Sequence, residues 1–271
     1  MKLTRHLTPN GPRWAADAHW LADIFSLSSL LEMPRAEMSA FLSRMLTPSP
    51  AQGPLLAPIE ASHEVWGCGV TYQRSREARQ AESTSGDVYD RVYSAQRPEL
   101  FFKAIGWRVV GHQQPVRCRA DSTWNVPEPE LTLVINRHGE ILGYTAGNDM
   151  SSRSIEGENP LYLPQAKIYN ASCALGPAIH MVDPDRLQDL PIEISIERTD
   201  EVVFHGSTST AKMNRKLDEL AAYLFRELSF PQGVFLLTGT GIVPPEQFTL
   251  AHGDLVIITI GDLTLANNIG K

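Results

Sequence analysis

At 271 residues, with 42% hydrophobic and 20% charged, the chain has the apolar content for a large core and is not a disordered polymer. Its net charge of −7 excludes a basic footprint for nucleic acid or an anionic membrane, so an anionic substrate needs cations supplied locally. Cys68, Cys118 and Cys173 lack a CxxC pair, and no apolar run approaches about 18 residues; both features read as a reduced, cytoplasmic protein.

In chain order, Trp20, Ile24, Leu27 and Leu31 recur at spacings of three and four and predict an amphipathic helix over 17–33, which Pro34 stops. Met38, Phe41, Leu42 and Met45 predict a second helix. Prolines 48, 50, 54 and 58 then mark a linker. Residues 1–58 therefore read as a small N-terminal helical subdomain with its linker, and residues 59–271 as the main domain.

The main domain opens with a predicted strand, Val65–Val70, and a polar helical stretch from Tyr72 to about Glu82. Residues 84–96 are polar and read as a loop over the site, with Arg74, Arg76 and Arg91 as cations able to meet a carboxylate or simply to sit in water. Short strands follow at 100–102 and 108–111, broken at Gly106. Glu99 and Lys103 flank the first, and on pattern alone they are strand-end charges in water.

The most informative stretch is Pro127 to Tyr169. Glu128 and Glu130 alternate with proline and lead into the strand Leu131–Ile135, where a period of two puts both on one face. The turn Asn136-Arg137-His138-Gly139 reverses the chain, and a second strand from Ile141 ends at Asn148-Asp149, so that Asp149 returns beside the glutamates. Three carboxylates sharing a face repel one another and need a partner. A hard divalent cation such as Mg²⁺ is one, with positions left for water or substrate; ordinary solvation is the other reading. Ser151–Glu156 reads as a capped helical turn directly after Asp149, and Lys167 lies eighteen residues beyond it.

Beyond this, Ile192–Glu197 and Glu201–Phe204 predict a peripheral hairpin, and Met213–Leu228 a helix. Val234–Leu237 predicts a buried strand running into the turn Thr238-Gly239-Thr240-Gly241, and Asp254–Ile260 a core strand. The eight histidines form no HxxxH or HxH pair, and Gly139, Gly143 and Gly147 lack GxGxxG spacing, so no nucleotide cofactor is implied.

Four separated motifs, Glu128-Pro129-Glu130, Gly143-Tyr144-Thr145-Ala146-Gly147-Asn148-Asp149, Lys167 and Leu237-Thr238-Gly239-Thr240, resemble the ordered motifs of the fumarylacetoacetate hydrolase superfamily. Pro98–Lys103, Val126–Leu131 and Ser151–Lys167 resemble its 2-keto-3-deoxy-D-arabinonate dehydratases most closely. The resemblance implies an α+β fold, mainly β, with the family's mixed β-sheet or β-roll catalytic domain, and Glu128, Glu130 and Asp149 as ligands of Mg²⁺ or Mn²⁺. It also implies a small 2-keto acid as substrate and a homodimer or homotetramer as the assembly. Many hydrolases of the family carry a pattern like Asn-Tyr-x-x-His-x-x-Glu near residues 71–78; here Ser75 stands in the histidine's place and Glu77 one place before the glutamate. Serine cannot replace imidazole as a base, which favours dehydration over C–C hydrolysis.

On that reading a 2-keto-3-deoxy pentonate loses water through a Mg²⁺-stabilised enolate, giving 2,5-dioxopentanoate. Lys167 is the candidate base and Glu99 the candidate acid, with Ser75, Gln165 and Thr240 as candidate substrate-binding residues. A structural ion pair is the alternative for Lys167. An acylpyruvate or diketo-acid hydrolase, an oxaloacetate decarboxylase and a silent keto-acid binder are the alternatives for the protein.

Overall fold

The hairpin of Pro129–Ile135 and Ile141–Asp149 forms the middle of the molecule, every residue of both strands being buried. Burial without interruption marks strands covered on both faces, here including the polar Glu130, Thr132, Thr145, Asn148 and Asp149. The computed structural model describes residues 1–82 and 86–271. Its larger sheet runs, edge to edge, through Leu46–Pro50, His19–Leu21, Gly11–Ala16, Lys2–Thr8, Cys173–Met181, the two hairpin strands, Val234–Leu237, Glu64–Gly69 and Glu99–Ile105. A second sheet runs through Glu201–Ser209, Pro191–Arg198, Leu255–Ile260, Leu263–Gly270 and Val116–Arg117.

The hairpin separates two cores because side chains alternate across a strand. Leu131, Leu133 and Tyr144 pack towards Ile192, Ile194, Ile196 and Ile258 of the second sheet. Val134 and Leu142 pack instead with Leu27, Leu31, Met38 and Phe41 of the N-terminal helices. No helix among the described residues is long and apolar enough to cross a membrane.

The N-terminal segment differs from the expected helical subdomain. Residues 1–21 form three strands of the main sheet, with Lys2 and Leu3 paired to His180 and Ile179. The helix expected over 17–33 is confined to Leu27–Leu31, because Asp17 and Ala18 take positive φ values of 43° and 65° in a hairpin turn that a helix cannot contain. The second helix is present as Arg35–Met45. Leu46–Pro50, within the expected linker, is the sheet's edge strand, where prolines are tolerated. The boundary expected near residue 58 thus lies within one continuous sheet.

Other departures are local. A helix, Gly86–Ser94, occupies most of the expected loop over 84–96, of which Thr84 and Ser85 lie outside the described residues. The strand expected at 108–111 is reduced to a single bridge of Val110 with Ala174, after a short 3₁₀ turn, Gly106–Arg108. The helix expected over 213–228 is limited to Leu217–Leu224, and Leu228 is exposed.

Candidate active site

Sheet register brings the three acids together. Pro129 pairs with Asn148 and Glu130 with Gly147, and the Asp149 amide donates to the Glu128 carbonyl at 3.0 Å, so Glu128 and Asp149 lie opposite each other. Glu130 is two residues along the same face. Gly147, opposite it, has no side chain for a reason: a Cβ there would lie 2.2 Å from Thr132 Oγ1. One oxygen from each of Glu128, Glu130 and Asp149 falls within 4.8 Å of the others, and all three residues are buried.

Three cations meet this cluster. Lys167, at the end of the short helix Leu163–Lys167, donates from Nζ to Glu128 Oε2 at 2.7 Å and to Asp149 Oδ2 at 2.9 Å. Arg153 Nη2 lies 3.1 Å from Glu128 Oε1. Lys103 pairs with Asp149 Oδ1. Glu130 instead accepts the Gly239 amide proton at 2.7 Å. Gly239 has φ 91°, and a Cβ on it would lie 2.1 Å from Thr71 Oγ1, so the turn after Val234–Leu237 approaches Glu130 this closely only with glycine.

Burial, followed by the charges of Asp149 and Glu128, pushes the Glu130 carboxyl well above its ordinary range, against the pull of Lys167 and the Gly239 amide. A compact, all-oxygen set of carboxylates that repel one another fits a hard divalent cation, whose charge removes the repulsion. Beside the acids is a narrow cleft, lined in part by Val70, Ser75, Glu99, Phe101, Glu128, Glu156, Leu163, Lys167 and Thr240. Val70 holds φ 55°, an uncommon conformation for a β-branched residue and one found at ligand sites.

Of the candidate residues, Glu128, Glu130, Asp149 and Lys167 form one cluster, and Glu99, Ser75 and Thr240 line the cleft beside it. Ser75 Oγ donates to the Tyr72 carbonyl at 2.8 Å and Thr240 Oγ1 to the Ile242 carbonyl at 3.1 Å. Gln165 is a correction: it is exposed and outside the cleft lining, because two residues along a helix turn it away from the face that carries Lys167. Glu77 is also exposed, and bonds to Gln73 on its own helix. Arg74 and Arg91 are exposed, while Arg76 stacks on Tyr93 at 4.8 Å.

Sequence pattern missed three residues. Lys103, read as a solvated strand end, is completely buried. Glu99, Phe101 and Lys103 share one face of Glu99–Ile105, and that period of two was the available signal. Arg153 and Glu156 belong to the helix Arg153–Glu158, which Ser152 caps, and Ser151 Oγ donates to Glu156 Oε2 at 3.1 Å. Nothing in their spacing marks them, since a capped turn reads the same in solvent.

The family model for the C-terminal region of fumarylacetoacetate (FAA) hydrolase matches residues 64–270. A probable 2-keto-3-deoxyxylonate dehydratase of Haloferax volcanii is 49% identical over 216 residues, covering 78% of this chain and 73% of that protein. A 2-dehydro-3-deoxy-D-arabinonate dehydratase of Saccharolobus solfataricus is 45% identical over 216 residues, covering 77% and 72%. A solved 2-keto-3-deoxy-D-arabinonate dehydratase, complexed with magnesium and 2,5-dioxopentanoate, superposes with TM-score 0.85 at 36% identity, covering 100% of this chain and 99% of that one. With the family model matching most of the chain and relatives close to half identical, the protein belongs to the fumarylacetoacetate hydrolase family.

Proposed function

We propose that the protein dehydrates a 2-keto-3-deoxy sugar acid, a pentonate of the arabinonate or xylonate type, to 2,5-dioxopentanoate. One observation carries the reading. Lys167 Nζ sits between Glu128 and Asp149, in a buried cleft that Glu99 also lines. A base and a candidate acid thus flank the oxygen cluster. The relatives above supply the substrate class.

Glu128, Glu130 and Asp149 would hold Mg²⁺ or Mn²⁺, which when bound supplies Lewis-acid stabilisation of negative charge building on a keto oxygen. The remaining work falls to the chain's own residues. Lys167, which pairs with Glu128 and Asp149 as an ammonium in the metal-free protein, would shed that proton once a dication shares those acids, and as the amine would take the C3 proton onto Nζ. The C4–O bond breaks as Glu99 delivers a proton to the departing hydroxyl, which leaves as water. The Glu99 carboxylate then takes a C5 proton as Lys167 returns its proton to C3, which converts the C3–C4 double bond into a C4–C5 enol; its O–H proton is lost and C4 gains one as the C5 aldehyde forms, with the carbon skeleton whole. Ser75 and Thr240 orient substrate oxygens, and Phe101 and Leu163 exclude water.

No histidine is among the described residues lining the cleft, so the imidazole that would activate water for C–C cleavage is missing there. Mass spectrometry of the product from synthetic 2-keto-3-deoxy-D-arabinonate tests the reading. Loss of one water with five carbons retained is expected; a shortened carbon skeleton would overturn it in favour of a hydrolase or decarboxylase. The three free cysteines fit a reducing, cytoplasmic setting, and family resemblance suggests a homodimer or homotetramer, an assembly that a monomer in analytical ultracentrifugation would contradict.

A further inference from the structure

Lys103 has 0% exposure and is not among the residues lining the cleft, yet it touches the centre of the site. An ammonium has three protons to donate. Here it meets Asp149 Oδ1, the Met150 carbonyl at 2.9 Å and the Lys167 carbonyl at 2.6 Å. Two of its protons go to the carbonyls and its charge is paired with Asp149 Oδ1, so the buried Lys103 has neither a lone pair to accept a proton nor an open path to a substrate. Its action must pass through the groups it holds.

Those groups are a candidate metal ligand and the backbone of the candidate base. Asp149 Oδ1 is held by Lys103, while Oδ2 faces Lys167 Nζ at 2.9 Å, the same atom that meets Glu128 Oε2 at 2.7 Å. The two carbonyls anchor the ammonium, so it cannot follow the carboxylate if Asp149 rotates. Ca²⁺ accepts carboxylates through both oxygens in a flexible shell, whereas Mg²⁺ requires near-octahedral coordination. The geometry points to Lys103 as the positioning residue that makes Asp149 a one-oxygen ligand, and so sets the site's preference for Mg²⁺ or Mn²⁺ over Ca²⁺.

The inference rests on the metal site proposed above but not on the reaction. Calorimetric titration of the protein with MgCl₂ and CaCl₂ alone tests it. The wild type binds Mg²⁺ in preference to Ca²⁺. In Lys103→Met, Asp149 is free to bind through both oxygens, and the ratio of the Ca²⁺ to the Mg²⁺ Kd falls by about tenfold or more. Lys103→Arg, which keeps charge and donors, holds the ratio near that of the wild type. A merely structural residue would weaken both ions together, and an unchanged ratio overturns the inference. Should Lys103→Met fail to fold, a crystal structure of the Mn²⁺-loaded wild type decides. Coordination through one Asp149 oxygen, with Lys103 on the other, supports the inference; coordination through both overturns it. A wild type that binds neither ion would instead remove the metal site on which it stands.

Discussion

Replacing Lys167 by Met removes the cation between Glu128 and Asp149 while keeping most of the side chain's volume. Lys167 is 3% exposed, and the two carboxylates 4% and 1%. Breaking a buried pair by removing one partner leaves uncompensated charge and costs about 3–5 kcal/mol. At about 2–3 °C per kcal/mol for a chain of this size, the metal-free variant melts roughly 10 °C lower. Saturating Mg²⁺ recovers most of that loss, because the ion supplies the missing positive charge to the same oxygens. Turnover does not recover: loss of the base lowers kcat by about 10²–10⁴-fold or more. The assay pairs thermal melting, with and without MgCl₂, with product formation from 2-keto-3-deoxy-D-arabinonate. Unchanged turnover, or a variant that no longer binds metal, would refute the reasoning.

Three further outcomes follow from the same geometry. Glu99→Gln should lower kcat about 10²-fold or more with the Mg²⁺ Kd unchanged, since it removes a proton donor and no ligand; a weaker Kd would show that Glu99 belongs to the metal site instead. Gly239→Ala forces a Cβ to within 2.1 Å of Thr71 Oγ1 at φ 91° and draws the amide away from Glu130. It should cost at least about 1–2 kcal/mol in urea unfolding and weaken metal binding, and unimpaired metal binding would contradict the role given to that amide. Burial opposes ionisation of Asp262, yet bonds from Lys2, Tyr144 and His180 outweigh it and hold the carboxyl far below its usual range. A depressed folded-state pKa contributes stability that is present above the unfolded value of about 3.9 and lost as pH falls towards the folded one. Asp262→Asn should therefore lower Tm at pH 7 and flatten the acid-side loss, and parallel Tm–pH curves for the two proteins would reject this.

Where the signal is local, the sequence was readable. Glu128 and Glu130 at a spacing of two, a turn ending in Gly139 and a return strand of the right length place Asp149 opposite Glu128. The N-terminal strands were not readable in this way. Trp20, Leu27 and Leu31 imitate a helical stripe, but Asp17 and Ala18 turn with positive φ in the hairpin that pairs Ala16 with His19, and Lys2 and Leu3 tie this segment to His180 and Ile179, about 175 residues away along the chain. Lys103 shows the same limit at the site. Its strand periodicity is visible, but its burial depends on the Asp149 carboxylate and the Met150 and Lys167 carbonyls arriving from other elements to meet its ammonium.

The measurement that bears most directly on the account is the rate of 2,5-dioxopentanoate formation by chelator-treated enzyme as Mg²⁺ is restored. Glu130, pressed by its two acidic neighbours and held by the Gly239 amide, has to join them in binding the ion. The account predicts a silent chelated enzyme, activity that returns with Mg²⁺, and a Glu130→Gln variant that stays silent across the same titration. Full turnover without metal, or by Glu130→Gln enzyme that binds none, would contradict it.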